Sequence, residues 1–240
     1  MIPKDDMTFI EHLEALRWAL IRIFLIISIL MVCSFVYSDN IQDFIMQPIN
    51  GLGLENFKLQ DIKITSPFMV KIVISLFTSL IIVFPYFVFE ILKFIYPAIP
   101  KISKIYLSII FIFSVIFFVI GCAFGYFYLF PSTISFFINL VDSKIEFNPE
   151  RLNYIFYSFW LIVVSGFIYQ LPIISLILTK LKIINYEFLK QMRSIAFVLF
   201  LVFGALISPP DPLSQLLIAF PLYVLYELGI MVSYIFRIEK

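Results

Sequence analysis

The chain has 240 residues, of which 62% are hydrophobic and 14% are charged, and its formal net charge is +1. Soluble domains are nearer half apolar and a quarter charged, so this composition excludes an ordinary soluble domain and predicts an integral membrane protein. The balanced charge and the lack of a basic cluster give no indication of nucleic-acid binding. Cys33 and Cys122 lie in apolar runs without metal-ligand spacing, so we predict no metal site and no cofactor.

The N-terminal segment is polar and precedes the first apolar run. Its sequence, MIPKDDMTFIEHLEALR, has no small-residue cleavage site, so no cleavable signal peptide is predicted. We predict an amphipathic helix here, in which His12 is either an ordinary polar residue or a binding residue.

Long apolar runs predict the membrane spans, since a helix needs about 20 mostly apolar residues to cross a bilayer. The last run, 194–233, holds two short spans only if the chain turns back at its middle. The stretch SPPDPLSQ supplies that turn, because its prolines lack an N–H and disfavour helix at the preceding residue. Ser208 or Asp211 can cap the following helix. We therefore predict an all-α polytopic membrane protein, a single domain over 1–240 with six spans at about 19–37, 69–92, 105–130, 154–179, 194–208 and 213–233.

Lysine and arginine residues predict the orientation, because they are enriched in cytosolic segments. If both termini are cytosolic, the inside segments hold 12 of the 17 lysine and arginine residues. We therefore predict N-in and C-in, which puts Asp211 at the outer surface. The two longer outside loops are predicted at about 38–68 and 131–153, and NIQDFIMQPI in the first is predicted to be a short helix lying on the membrane.

A few polar side chains and several prolines fall within the apolar runs. Lys71 and Glu90 lie near opposite ends of the second span and are expected to snorkel. Gln170 lies deep in the fourth span beside Pro172, and either bonds to its own bundle or docks another helix or a substrate. Glu227 is expected to pack or snorkel. Several prolines in or beside the apolar stretches predict kinked helices and a concave, open shape. They are Pro48, Pro85, Pro131, Pro172 and Pro221.

No pattern of residues predicts an enzyme. A single histidine excludes two-histidine metal sites and histidine relays, and the sequence has no CxxC pair, Gly-rich phosphate loop or paired intramembrane carboxylates. A small proton-coupled transporter or channel, with Gln170, Glu90 and Lys71 on a solute path, is one alternative. An intramembrane enzyme is a weaker one.

Several stretches together resemble the TatC family of the twin-arginine translocase. FIEHLEALRWALI is similar to the family's N-terminal signature, and SPFMVKI, YFVFEILKFIYPAI and GYFYLFP match around the second and third spans. The region from GFIYQLPIISL to SPPDPLSQ and PLYVLYELGI resembles the family's remaining series in order and spacing. The resemblance covers nearly the whole chain.

The resemblance implies a function that composition does not show. TatC is a membrane receptor in the complex that exports folded proteins bearing twin-arginine signal peptides, driven by the proton-motive force, and it catalyses no covalent reaction. The resemblance implies TatA/TatB-type single-span partners packed near the fifth span, further copies of the chain in a larger complex, and a bacterial inner membrane. A mitochondrial or plastid membrane is the alternative location.

The resemblance also implies three groups of site residues. The signal peptide is expected at the cytosolic face, at Glu11, His12, Glu14, Arg17, Glu90, Phe94 and Ser103. Contacts with partner helices are expected at Gln170 and Pro172. The outer hairpin comprises Pro209, Pro210, Asp211, Ser214 and Gln215, and Asp211 either caps a helix there or serves the translocase cycle.

This sequence departs from the family pattern at three positions where the family carries Glu. They are Ala15, Ser103 and Gln170, and each change removes a formal negative charge. Gln170 keeps its hydrogen-bonding capacity. We expect weaker or less strict recognition of paired arginines than in a typical member.

Overall fold

The structure, a computed structural model, describes residues 9–50, 59–98, 103–139, 148–207 and 212–235. The described part contains helices and no strand, so the all-α prediction is confirmed. The helices are α1 Phe9–Val36, α2 Ser38–Asn50, α3 Ser66–Ile95, α4 Lys104–Phe124, α5 Phe130–Asn139, α6 Arg151–Ile168, α7 Leu171–Lys180, α8 Tyr186–Gln191, α9 Arg193–Ile207 and α10 Pro212–Ile235.

Five helical segments in the described part are long and apolar enough to cross a membrane. They are Ile10–Val36, Ser66–Ile95, Lys104–Asn139, Arg151–Lys180 and Ile218–Ile235. The predicted fifth span corresponds to α9, which has 15 residues. At 1.5 Å per residue α9 is about 22 Å long, short of a hydrocarbon core of about 30 Å. The count of six crossings and the N-in, C-in orientation stay predictions.

The third span is longer than the sequence predicts. α4 passes through one π-helical turn, Gly125–Leu129, directly into α5, so helix continues to Asn139 where an outer loop was expected from 131. In the wider turn the N–H of Phe130 donates to the carbonyl of Gly125. Pro131, which follows, has no N–H to continue the ordinary pattern. The helix persists because Phe130, Thr133 and Ile134 are buried.

The fourth span is interrupted at the proline that the sequence singled out. α6 ends at Ile168, α7 begins at Leu171, and Pro172 lies in the first turn of α7. Pro172 cannot donate to the carbonyl of Ile168, so the chain makes a turn in which the N–H of Gln170 bonds to the carbonyl of Phe167 at 3.0 Å. Pro48, Pro85 and Pro221 lie inside α2, α3 and α10, and the concave shape stays a prediction.

Small residues let the third and fourth spans approach closely. A Cβ atom added to Gly121 would lie 2.7 Å from the carbonyl oxygen of Ser165 and 2.8 Å from the Cα of Gly166. Backbone contact of this kind is typical of helix pairs in membranes, where packing replaces the hydrophobic effect. Phe84 of α3 stacks on Phe118 of α4 beside this contact, with ring centroids 3.5 Å apart.

The expected short helix in the first outer loop is present as α2. The hydroxyl of Tyr126, in the π turn, donates to the carbonyl of Phe44 at 2.6 Å. Lys71 on α3 bonds to Asp39 at 2.8 Å. These contacts attach α2 to the third and second spans.

The two loops that were predicted to lie outside are joined next to the start of α6. Gln60 and Glu150 form an isolated parallel bridge, with the N–H of Arg151 donating to the carbonyl of Gln60 at 3.0 Å. Arg151 also donates to both carboxylate oxygens of Asp61, at 3.0 and 2.6 Å. The bidentate pair fixes where the second and fourth spans begin.

Candidate functional site

The first turns of α1 and the last turns of α3 form one junction. His12 of α1 stacks on Phe94 of α3 with ring centroids 4.0 Å apart and an interplanar angle of 22°. The sequence assigned both residues to the cytosolic site, and they are 82 positions apart in the chain. The two helices pack against each other along their length, with the start of α1 beside the end of α3.

Glu90 lies one helical turn before Phe94 and is enclosed. Its side chain is 4% exposed, whereas that of its partner Arg22 is 41% exposed. Arg22 donates through Nε to Oε1 at 3.0 Å and through Nη2 to Oε2 at 2.8 Å. The hydroxyl of Tyr86, one turn earlier on α3, donates to Oε1 at 2.7 Å. The expectation that Glu90 snorkels is therefore wrong, because Arg22 and Tyr86 satisfy the carboxylate within the protein.

The other predicted cytosolic residues lie apart from Glu90. Glu11 and Glu14 are exposed on α1, and the guanidinium of Arg17, also exposed, lies 5.3 Å from the centre of the Trp18 ring. Ser103 caps α4, since its hydroxyl accepts a bond from the N–H of Tyr106 at 3.4 Å. Ser103 therefore has a local structural role.

Gln170 is enclosed between the third and fourth spans. It is 6% exposed, its Oε1 accepts from the hydroxyl of Ser114 at 2.6 Å, and its Nε2 donates to the carbonyl of Ser114 at 3.0 Å. Of the two alternatives for Gln170, the geometry favours bonding within its own bundle. Pro172 is buried beside it.

Only part of the predicted outer hairpin is described. Pro209, Pro210 and Asp211 lie outside the described residues, and Ser214 belongs to the first turn of α10. Gln215 of α10 donates through Nε2 to the carbonyl of Leu201 on α9 at 2.7 Å. A Cβ atom on Gly204 would lie 2.8 Å from the carbonyl oxygen of Gln215. Gln215 therefore joins α10 to α9 at a point where the two backbones lie close together.

No group of three or more His, Cys, Asp or Glu side chains within the described ranges is arranged to hold a metal ion. The contacts of Glu90 and Gln170 each join two helices.

Known proteins are similar to this chain both in sequence and in the arrangement of their helices. The family model of the Sec-independent protein translocase protein (TatC) matches residues 11–221. The chain belongs to the TatC family. A TatC of Desulforapulum autotrophicum is 29% identical over 99% of this chain and 88% of its own length. A TatC of Rickettsia prowazekii is 30% identical over 94% and 92%. A crystal structure of the twin-arginine translocase receptor TatC superposes with a TM-score of 0.79 at 29% identity, over 94% of this chain and 99% of that one.

Membership establishes the general role of the chain. It is the TatC component of the twin-arginine, Sec-independent protein translocation system, a multi-pass protein of the bacterial inner membrane and not an enzyme. As a TatC it works with other members of that system. The transporter alternative is set aside, since Lys71, Glu90 and Gln170 are separately paired with Asp39, Arg22 and Ser114.

The residues that pair with the expected site residues were not predicted from the sequence. Arg22 is one of the 12 lysine and arginine residues counted in the inside segments, and an arginine followed by apolar residues needs a partner. Ser114 gives no signal, because serine is common in membrane helices. Arg193 of α9 donates to Glu227 of α10 at 2.6 Å, which fixes the side chain that was expected to pack or snorkel.

Proposed function

We propose that this TatC binds twin-arginine signal peptides at the junction of α1 and α3, on the cytosolic face. The observation that carries the proposal is that His12, Phe94 and Glu90, three residues chosen from the sequence, gather at one helix junction. A signal peptide that arrives from the cytosol meets the exposed carboxylates of Glu11 and Glu14 on the same helix.

The chemistry of the signal fits these groups. A guanidinium forms planar, charge-assisted pairs with a carboxylate, and its face stacks on aromatic rings. The His12–Phe94 stack at the junction offers the aromatic surface, and the exposed Glu14 on α1 offers a carboxylate. The apolar part of the signal has exposed side chains to pack on, Phe24 of α1 and Phe89 of α3 among them. The lack of carboxylates at Ala15 and Ser103 leads us to expect less strict recognition of paired arginines.

We also propose that α9 receives the single-span helix of a TatA/TatB-type partner. α9 packs on α10, and Ile195, Val198, Leu199 and Val202 are exposed. The spacing of three and four residues puts these side chains in one apolar stripe. A partner helix packed there adds van der Waals contacts without having to cover a charge. The assembly contains further copies of this chain and uses the proton-motive force.

Signal binding is tested with the full-length protein in lipid nanodiscs and a fluorescent twin-arginine signal peptide. Phe94→Ala removes one ring of the stack and is expected to weaken binding about tenfold, equal to about 1.4 kcal/mol. Trp160→Ala, which removes an exposed aromatic ring on α6, is the matched control and should bind as wild type. Equal affinity of the wild type and Phe94→Ala for the peptide would contradict the proposed site.

Partner docking is tested by disulfide crosslinking in membranes, with Cys33 and Cys122 first replaced by serine. Val198→Cys on the α9 stripe should crosslink to a cysteine in the partner's transmembrane helix. Val119→Cys, on the exposed face of α4, is the control. Crosslinks at both positions in equal yield would mean that α9 has no special role.

A further inference from the structure

We propose that Arg22 is an internal substitute for a signal-peptide arginine. In the resting protein it occupies the carboxylate of Glu90, and the guanidinium of a bound signal takes its place. The inference rests on the proposed function, and it adds a mechanism by which the site distinguishes arginine from other cations.

Glu90 is a fixed acceptor for a guanidinium. Among the described residues it is the one acidic or basic side chain that is buried. Arg22 engages both carboxylate oxygens from two of its nitrogens, at 3.0 and 2.8 Å, which is the bidentate geometry that guanidinium and carboxylate groups prefer. Tyr86 holds Oε1 from the same face of α3 at 2.7 Å. The carboxylate is therefore already shaped for an arginine.

Arg22 is the movable member of the pair. Its side chain is 41% exposed, against 4% for Glu90. A long side chain of this kind can swing its charged end toward the membrane surface while its stem stays on the apolar face of α1. Glu90, on a shorter side chain and bonded to Tyr86, stays where it is. Release of Arg22 thus requires a change of rotamer and no movement of a helix.

An exchange of one guanidinium for another leaves Glu90 paired both before and after the signal binds. Loss of Arg22 alone would leave an unpaired carboxylate in an apolar span, which is strongly unfavourable. An arriving arginine removes that penalty because it restores both hydrogen bonds. A lysine ammonium is a point charge without the planar fork, so it cannot reproduce the pair. The exchange therefore selects arginine over lysine at one position of the signal.

The position of the pair suits a signal that enters from the cytosolic end. Phe94 lies one turn from Glu90 toward the end of α3, and it stacks on His12. A signal arginine held at Phe94 has its neighbour within a turn of Glu90. Because Ala15 and Ser103 supply no carboxylate, Glu90 is the remaining enclosed acid in the described part of the chain that a second arginine can reach.

The chain contains a matched control for this pair. Arg193 and Glu227 join α9 to α10 at 2.6 Å, but Glu227 is 32% exposed. A substitution of Arg193 alters charge and an inter-helix contact as a substitution of Arg22 does. It leaves the α1–α3 junction untouched.

The test measures the affinity of the full-length protein in nanodiscs for two versions of one signal peptide, with Arg-Arg and with Lys-Lys. In Arg22→Gln the internal competitor is removed, so affinity for the Arg-Arg peptide should rise about tenfold if Glu90 is free about a tenth of the time in the wild type. Affinity for the Lys-Lys peptide should not change. The double variant Arg22→Gln, Glu90→Gln should lose the gain, and Arg193→Gln should bind both peptides as wild type does.

The outcomes separate the exchange from the proposed function. If the wild type binds the Arg-Arg peptide but Arg22→Gln shows no gain, or gains equally for Lys-Lys, the exchange is overturned and the receptor role stands. If the wild type binds neither peptide, the receptor role falls and the exchange with it. Should Arg22→Gln fail to fold, Arg22→Lys keeps the charge but cannot hold both oxygens, and the absence of a gain in that variant also overturns the exchange.

Discussion

Gln170 of the fourth span and Ser114 of the third are joined by two hydrogen bonds, 56 positions apart in the chain, at 2.6 and 3.0 Å. The amide accepts through its oxygen and donates through its nitrogen to one residue, so the contact carries no net charge. A carboxylate at 170 would accept from the serine hydroxyl but would face the serine carbonyl without a proton to donate. A glutamine at 170 therefore suits this partner better than a glutamate would.

The Ser114–Gln170 contact should contribute to stability. Gln170→Ala removes the acceptor of the buried hydroxyl of Ser114, at a cost of about 1–3 kcal/mol. Thermal unfolding in detergent, followed by tryptophan fluorescence, measures the loss. A double-mutant cycle with Ser114→Ala should give a coupling of about 1 kcal/mol, since the two side chains bond directly. Strict additivity of the two substitutions would argue against the contact.

Close packing of the third and fourth spans predicts that Gly121 tolerates no side chain. Gly121→Ala puts a Cβ atom 2.7 Å from the carbonyl oxygen of Ser165, so one backbone must move. Overpacking of this kind costs about 1–3 kcal/mol, which a lowered unfolding temperature would report. Val119→Ile adds one carbon on the exposed face of the same helix and should be neutral. Equal behaviour of the two variants would show that the helices are farther apart than described.

The hydrogen bond from Gln215 of α10 to α9 should contribute measurably to the stability of the protein. Gln215→Leu removes the donor to the carbonyl of Leu201 and should destabilise the protein by about 1 kcal/mol. Gln191→Leu makes the same chemical change at an exposed position on α8 and serves as the control. A full effect in Gln191→Leu and none in Gln215→Leu would contradict the assignment.

Charge at the start of α1 should influence export. Glu14→Lys reverses an exposed acid next to the proposed signal site, and we expect export of a twin-arginine reporter to fall about tenfold, because like charges repel the signal. The control Glu187→Lys reverses an exposed acid at the start of α8. In a binding assay, the loss of affinity for the signal peptide in Glu14→Lys should become smaller as the salt concentration is raised. If a double variant that reverses the charge of both Glu14 and Glu90 exports the reporter normally, these two acids do not belong to the signal site.

The two alternatives for Asp211 differ in their response to asparagine. Asparagine caps a helix about as well as aspartate, whereas alanine does not. If Asp211 acts as a cap, Asp211→Asn should export normally and Asp211→Ala should be impaired, as measured with the same reporter. An equal defect in both variants would assign the role to the negative charge.

Much of the fold follows from local sequence. Apolar runs located the long helices, and Pro172 marked the interruption of the fourth span. The sequence also indicated α2, as a short helix in the loop after the first span. It did not indicate the π turn at Gly125–Leu129 or the extension of helix to Asn139, because these depend on the burial of Phe130 and Ile134 rather than on local preference.

The amino-acid sequence by itself determined the membrane class, the position of the apolar helices and the resemblance to TatC. Each of these depends on composition, on run length or on motifs within one segment. Only the tertiary structure decided that Arg22 holds Glu90 and that Ser114 holds Gln170. Hydropathy shows that a polar side chain in a span needs a partner, but which partner it meets depends on how the helices are rotated and packed against one another.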